Sequence, residues 1–116
     1  KKSIEIIYGI RNFVGNANKY ANNNIYVSIK SDSESSEIVI EDDGPGFSKD
    51  ILSKIGQPYI KSLRSNDKEK SGLGLGIFIG KTLLEKNYAK ILFRNSETRG
   101  GAEIKIEWIN KNLEKI

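Results

Sequence analysis

Asn12, Asn16 and Lys19 stand four and three residues apart in the run Asn12-Phe13-Val14-Gly15-Asn16-Ala17-Asn18-Lys19-Tyr20. A helix carries all three on one face. Two amides and an ammonium on one stripe offer carbonyl oxygens to a hard cation and positive charge to phosphate. Two glycine clusters follow, Asp42-Asp43-Gly44-Pro45-Gly46 and Gly72-Leu73-Gly74-Leu75-Gly76. The Asp42 carboxylate accepts hydrogen bonds only, which suits an exocyclic amino group such as that of adenine. Gly44 and Gly46 allow close backbone approach. Gly72, Gly74 and Gly76 precede an apolar run, and glycines at a helix N-terminus leave N–H groups and a positive dipole for phosphate. Between the clusters lie Lys61, Arg64, Lys68 and Lys70. Lys61 and Arg64 are the better candidates to reach a terminal phosphate, because Asp67 and Glu69 partly neutralise the other two. Jointly these residues point to a nucleotide site.

Each feature also has a plain reading. The asparagine stripe can be the solvated face of an amphipathic helix. Two asparagines in mid-helix nevertheless cost about a few tenths of a kcal/mol each against better helix formers. Asp-Gly-Pro-Gly is rich in turn formers. The second cluster lacks the Lys-Ser/Thr ending of a P-loop and the spacing of the dinucleotide fingerprint, so it can be a hinge or a packing device. Gly80 fits such a packing role. The loop cations can be solvated surface.

The elements that position these residues read as follows. Ser3 can cap a helix running to about Ala21. Ile7, Ile10, Val14, Ala17 and Ala21 repeat at helical spacing and predict its buried face. Asn12, Asn16 and Lys19 then point nearly opposite, with Phe13 and Tyr20 on the border. Asn22-Asn23-Asn24 ends the helix. Ile25 to Lys30 and Glu37 to Asp42 read as a hairpin of two strands. Residues 47 to 71 read mostly as loop, with a short helix near Asp50 to Ile55. That is long for a connection and suggests a lid or binding loop. A second helix is expected from near Gly74 to about Asn87. Ala89 to Arg94 and Ala102 to Trp108 read as strands around a turn at Thr98 to Gly101. The polar stretch from Asn110 to Ile116 is expected to fray. This order predicts an α/β (α+β) two-layer sandwich, a sheet covered on one face by helices.

Size and composition narrow the classes. A chain of 116 residues fits one domain. Its net charge of +4 suits an anionic ligand. The lysines lack the aromatic interleaving of a nucleic-acid surface, so no nucleic-acid partner is expected. The absence of Cys excludes disulfides and thiolate metal sites. The absence of His removes the imidazole base and the imidazole ligand. No apolar run reaches membrane-spanning length and no signal-peptide pattern is present. The expectation is a soluble, cytoplasmic chain that can be a piece of something larger.

The three clusters, in this order, resemble the GHKL superfamily of Bergerat-fold ATPases and kinases, above all the catalytic ATP-binding domain of bacterial sensor histidine kinases. Asn12-x-x-x-Asn16-Ala17-x-Lys19-Tyr20 matches the N box. Asp42-x-Gly44-x-Gly46 and Gly72-x-Gly74-x-Gly76 match the two glycine boxes, and Gly100-Gly101-Ala102 stands at the last glycine motif. Tyr8-Gly9, Glu41 to Phe47, Gly56-Gln57-Pro58-Tyr59 and Gly76 to Glu85 look like the redox-responsive RegB/PrrB branch. The resemblance implies a mixed sheet and a mobile ATP lid from about Gly56 to Ser71, carrying Tyr59, Lys61 and Arg64. It implies that Asn16 coordinates Mg²⁺, that Asn12 and Lys19 contact phosphates, and that Tyr20 lies against adenine. Asp42 would accept the adenine amino group, Gly44 and Gly46 would line the base pocket, and Gly72, Leu73, Gly74, Leu75 and Gly76 would cradle the phosphates. Residues 1–109 would form the ATP-binding domain and 110–116 a tail.

There are departures from the family. Ala102 stands where the family usually has Ser or Thr, and the strand before the N-box helix is missing. Without His, the chain cannot itself be phosphorylated on histidine. The implied partners are ATP, Mg²⁺, the dimerisation and histidine phosphotransfer domain of the same kinase and, indirectly, a response regulator. The full-length protein would be a membrane-associated homodimer and this fragment a monomer. The other readings are a non-catalytic nucleotide-binding regulatory module, a GHKL ATPase, or an anti-sigma serine kinase. Hydrolytic members typically carry Glu at the position of Asn12, and Asn does not usefully accept a proton at neutral pH.

Overall fold

The structure is a computed structural model that describes residues 2–55 and 71–114. Helix α1 (Lys2–Tyr20) leads into the hairpin β1 (Ile25–Ser31) and β2 (Ser35–Asp42). Helix α2 (Lys49–Ile55) follows, then α3 (Ser71–Lys86), the hairpin β3 (Lys90–Asn95) and β4 (Ala102–Ile109), and a short α4 (Asn110–Leu113). The strands order as β1-β2-β4-β3.

All three pairings are antiparallel, so the described sheet is not the mixed one expected. The reason is local. Each hairpin is antiparallel by construction, and the two dock through β2 and β4 in opposite directions. The register puts Ile38, Ile40 and Asp42 of β2 on one face with Ile104, Ile106 and Trp108 of β4 and with Ile91 and Phe93 of β3. Helices α1 and α3 cover this face, and Phe13, Ile77, Leu84, Ile40, Ile104 and Ile106 form the centre of the core. Val27 and Ile29 of β1 share the same face by register. They remain 54% and 72% exposed, because the helices do not reach that edge.

The helix periodicity locates α1 and much of its buried face, since Ala17 is in the core and Ile10 and Val14 pack against it, but the helix is rolled from the expected orientation. Gly9, Phe13, Asn16 and Ala17 are buried, whereas Ile7 is 55% exposed. A second helix at its flank turns α1. An added Cβ on Gly80 would lie 2.7 Å from Cε1 of Phe13, and one on Gly9 would lie 2.7 Å from Cγ of Leu84. This close crossing draws Phe13 inward, where its ring meets Phe93 edge-on at 5.8 Å. Gly80 thus packs α3 on α1. At the other end of the crossing Glu5 accepts from Lys86 (2.9 Å) and Asn87 (3.1 Å), which holds its carboxyl below the usual range. The contacts pair residue 5 with 86 and 87, residue 9 with 80 and 84, and Asn12 with Gly76. The two helices therefore run antiparallel, and Gly76 in the second turn of α3 comes beside Asn12.

Three expected boundaries shift. Ser3 lies inside the first turn of α1 instead of ahead of it. The run Gly72 to Gly76 is helical from Ser71, so the glycines belong to the first turns of α3 and not to a loop before it. Asn110 does not fray. Its amide accepts from Ser36 Oγ at 2.6 Å and donates to the Asp32 carbonyl at 2.7 Å, pinning α4 to the β1–β2 turn. The expected lid, with Tyr59, Lys61 and Arg64, lies outside the described residues.

Candidate functional site

The carboxyl end of β2 is where the glycine box begins, and Asp42 is buried there, 2% exposed. Its Oδ1 accepts the backbone N–H of Gly44 at 2.9 Å and of Ala102 at 3.2 Å. No described residue donates to Oδ2. Oδ2 can therefore act as an acceptor toward another group.

The loop around Asp42 is shaped by close approach. A Cβ on Gly44 would collide with the Tyr20 carbonyl, and one on Gly101 would collide with the Asp42 backbone. Gly46 has φ +80°, which side-chain-bearing residues rarely adopt. Asp43 ties this loop to the end of α1. Its carboxylate accepts the backbone N–H groups of Asn22, Asn23 and Asn24 at 2.9–3.3 Å, and Asn22 Nδ2 donates back to the Asp43 carbonyl at 2.9 Å. Those N–H bonds, the Asn23 one foremost, hold the Asp43 carboxyl below the usual carboxylate range.

A cavity of about 200 Å³ opens beside Asp42, lined by Asn16, Tyr20, Asp42, Pro45, Gly46, Phe47, Ser48, Ile51 and Ala102. Ser48 Oγ accepts the Ile51 N–H at 3.1 Å and caps α2, which brings Ile51 to the wall. Asn16 is 9% exposed, and its side-chain amide has no hydrogen-bond partner among the described residues. The sequence reading had put Asn16 on the solvated side of α1; the rotation of the helix brings it to the cavity.

Among the expected site residues, Asn16, Tyr20, Asp42 and Gly46 meet in this cavity, and Gly44 is buried just behind it. Asn12 does not line it. Its Nδ2 donates to the Tyr8 carbonyl at 2.8 Å, and its Oδ1 lies 3.7 Å from where a Cβ on Gly76 would sit. Lys19 is exposed, its ammonium 5.4 Å from the Tyr20 ring centroid. The first turn of α3, with Gly72, Leu73 and Gly74, has N–H groups that no intrahelical carbonyl can satisfy. The sequence did not single out Pro45, Phe47, Ser48 and Ile51, which also line the cavity. Only the Ser48 cap had a local signal, a serine directly ahead of a short helical pattern.

A family model described as "Histidine kinase-, DNA gyrase B-, and HSP90-like ATPase" matches residues 2–112. The sensor histidine kinase RegB of Cereibacter sphaeroides is 34% identical over 97 residues, 79% of this chain and 21% of RegB. The sensor histidine kinase CpxA of Escherichia coli K12 is 30% identical over 91 residues, 78% of this chain and 20% of CpxA. The chain thus spans about a fifth of the length of these relatives. Full-length ShkA, solved in complex with AMPPNP, superposes with a TM-score of 0.66 at 21% identity over 90% of this chain and 21% of its own. The mycobacterial sensor histidine kinase MprB gives 0.58 at 22% identity over 88% of this chain and 68% of its own. Both share the fold. The relatives this chain matches are sensor histidine kinases, and the chain itself belongs to the histidine kinase-, DNA gyrase B- and HSP90-like ATPase family.

Proposed function

We propose that this domain binds Mg·ATP and presents the γ-phosphate to a histidine on a separate dimerisation and phosphotransfer domain, for relay to a response regulator. One observation carries the reading. A buried carboxylate with a free oxygen and a buried amide with no described partner face the same cavity.

Asp42 Oδ2 accepts the adenine amino group, and Tyr20, Phe47 and Ile51 supply apolar contact to the ring. The cavity is smaller than the ~300–1,000 Å³ of whole ligand pockets, so it takes the base while the triphosphate runs toward α3. There the free N–H groups of Gly72 and Gly74 and the helix dipole receive phosphate oxygens. Lys19, Lys61 and Arg64 add positive charge.

The donor set fits Mg²⁺. Among the described residues no group of three or more acidic, His or Cys side chains could hold a metal. A cation here would be held by the carbonyl oxygen of Asn16 with phosphate and water oxygens, while Asn12 would contact phosphate. Bound Mg²⁺ supplies charge neutralisation on the phosphates.

The chain's own contribution is positioning. Asn12, where a carboxylate would activate water, can donate and accept hydrogen bonds but cannot take a proton at neutral pH. Hydrolysis is therefore slow, and the phosphoryl group waits for a better acceptor. That acceptor comes from outside this sequence, which has no His.

A phosphotransfer assay with a separately supplied dimerisation domain tests this. Mg·ATP, this chain and that domain should give phosphohistidine on the domain, while this chain alone should show negligible ATPase activity. Rapid hydrolysis by the isolated chain, with no transfer, would contradict the proposal.

A further inference from the structure

Asn95 ends β3 and pairs in register with Ala102, whose N–H reaches Asp42. Its side chain reaches 48 positions back along the chain and grips the main chain of Phe47 at both ends. Oδ1 accepts the Phe47 N–H at 2.6 Å, and Nδ2 donates to the Phe47 carbonyl at 2.9 Å. The two bonds fix which end of the amide is oxygen. The contact is also crowded. A Cβ on Gly46 would lie 2.7 Å from Asn95 Oδ1, so the left-handed Gly46 is pressed against this amide. Beyond it, Phe47 is 5% exposed and meets Phe93 edge-on at 6.2 Å. Gly46 and Phe47 both line the cavity.

We propose that Asn95 is a positioning residue for the nucleotide base. It fixes the Gly46–Phe47 wall of the cavity relative to Asp42, and so sets how well adenine is told from other bases. This rests on the ATP reading given above. The task needs a donor and an acceptor on one short planar group, which Asn supplies. Ala removes both bonds. A loop wall free to drift makes the base pocket wider and Asp42 less selective, while the phosphate end, held by α1 and α3, is untouched.

The test is calorimetry of ATP and GTP binding, with and without Mg²⁺, for the wild-type chain and Asn95→Ala. Amide hydrogen exchange is followed in parallel at Phe47, Ile104 and Ile106. The variant should bind ATP about tenfold more weakly, as expected for two lost hydrogen bonds partly replaced by water. Its ATP-over-GTP ratio should fall, and its Mg²⁺ enhancement should equal that of wild type. Protection should be lost at Phe47 and kept at Ile104 and Ile106. Unchanged affinity and unchanged base ratio overturn the proposal. Loss of protection at Ile104 and Ile106 as well overturns it too, since Asn95 is then a residue of global stability. A wild-type chain that binds no ATP removes the underlying reading and the proposal together, whereas binding that the variant leaves unaltered removes the proposal alone.

Discussion

Asp42 and Asp43 are neighbours with opposite tasks. Asp42 ties one oxygen to Gly44 of its own loop and to Ala102 of β4, and no described residue donates to the other. Asp43 turns away and spends both oxygens on the three N–H groups that follow α1. Because those bonds lower its pKa in the folded chain, Asp43 stabilises the fold above its unfolded pKa, and that contribution is lost as pH falls through the lower folded value. The window is acidic, below about pH 4. Asp43→Asn should therefore show a shallower loss of stability on the acid side than wild type, measured by denaturant titration at several pH values. Equal acid limbs would mean that the staple is not titrating. The sequence made the types and spacing of Asn12, Asn16, Lys19 and Asp42 legible, since motif spacing survives without coordinates. It did not reveal that Asn16 is buried and Lys19 exposed, because that depends on how far α1 is rolled. Nor did it reveal Asn95, whose partner lies on a distant loop and leaves no local pattern.

Among the elements, α1 and α3 matter most, because their antiparallel crossing brings Gly76 in the second turn of α3 beside Asn12. The crossing is set by two small residues. Gly80→Ala would place a Cβ 2.7 Å from Phe13 Cε1 and 2.9 Å from the Gly9 carbonyl oxygen. The carbonyl cannot swing away as a side chain does, so the helices must part. Overpacking of this kind costs about 1–3 kcal/mol. Chemical denaturation should show that loss, together with weaker ATP binding as α3 moves from Asn12. A neutral substitution would mean that the helices are not held at this distance. Helical spacing found α1 and α3 within a few residues of their ends. It placed Ile10, Val14 and Ala17 against the core but erred on Ile7, because periodicity weighs each apolar residue alike. Here a neighbouring helix selected Phe13 and left Ile7 at the surface. The start of α3 was misread as well. Glycine is a poor helix former, yet the run is helical from Ser71. The tail at Asn110 was read as frayed because its anchors, Ser36 and Asp32, are distant in sequence.

For the whole molecule, the design is a sheet with helices on one face and the candidate cavity beside Asp42 at the carboxyl end of β2. The hairpin order was readable from alternation and turn residues. The antiparallel docking of β2 on β4 was not, since nothing local states which strands become neighbours. The chain spans about a fifth of the relatives it matches, so its proposed part is to hold Mg·ATP and leave acceptance of the phosphate to another domain. That account stands on Asp42 and Asn16 serving one ligand from one cavity. Isothermal titration of ATP into wild type, Asp42→Ala and Asn16→Ala, with and without Mg²⁺, tests it most directly. Wild type should bind with micromolar or weaker affinity, strengthened by Mg²⁺. Asp42→Ala should lose about ten- to a hundredfold, the worth of a hydrogen bond to a charged group. Asn16→Ala should lose chiefly the Mg²⁺ enhancement. Equal affinities in all three proteins, with equal response to Mg²⁺, would contradict the account.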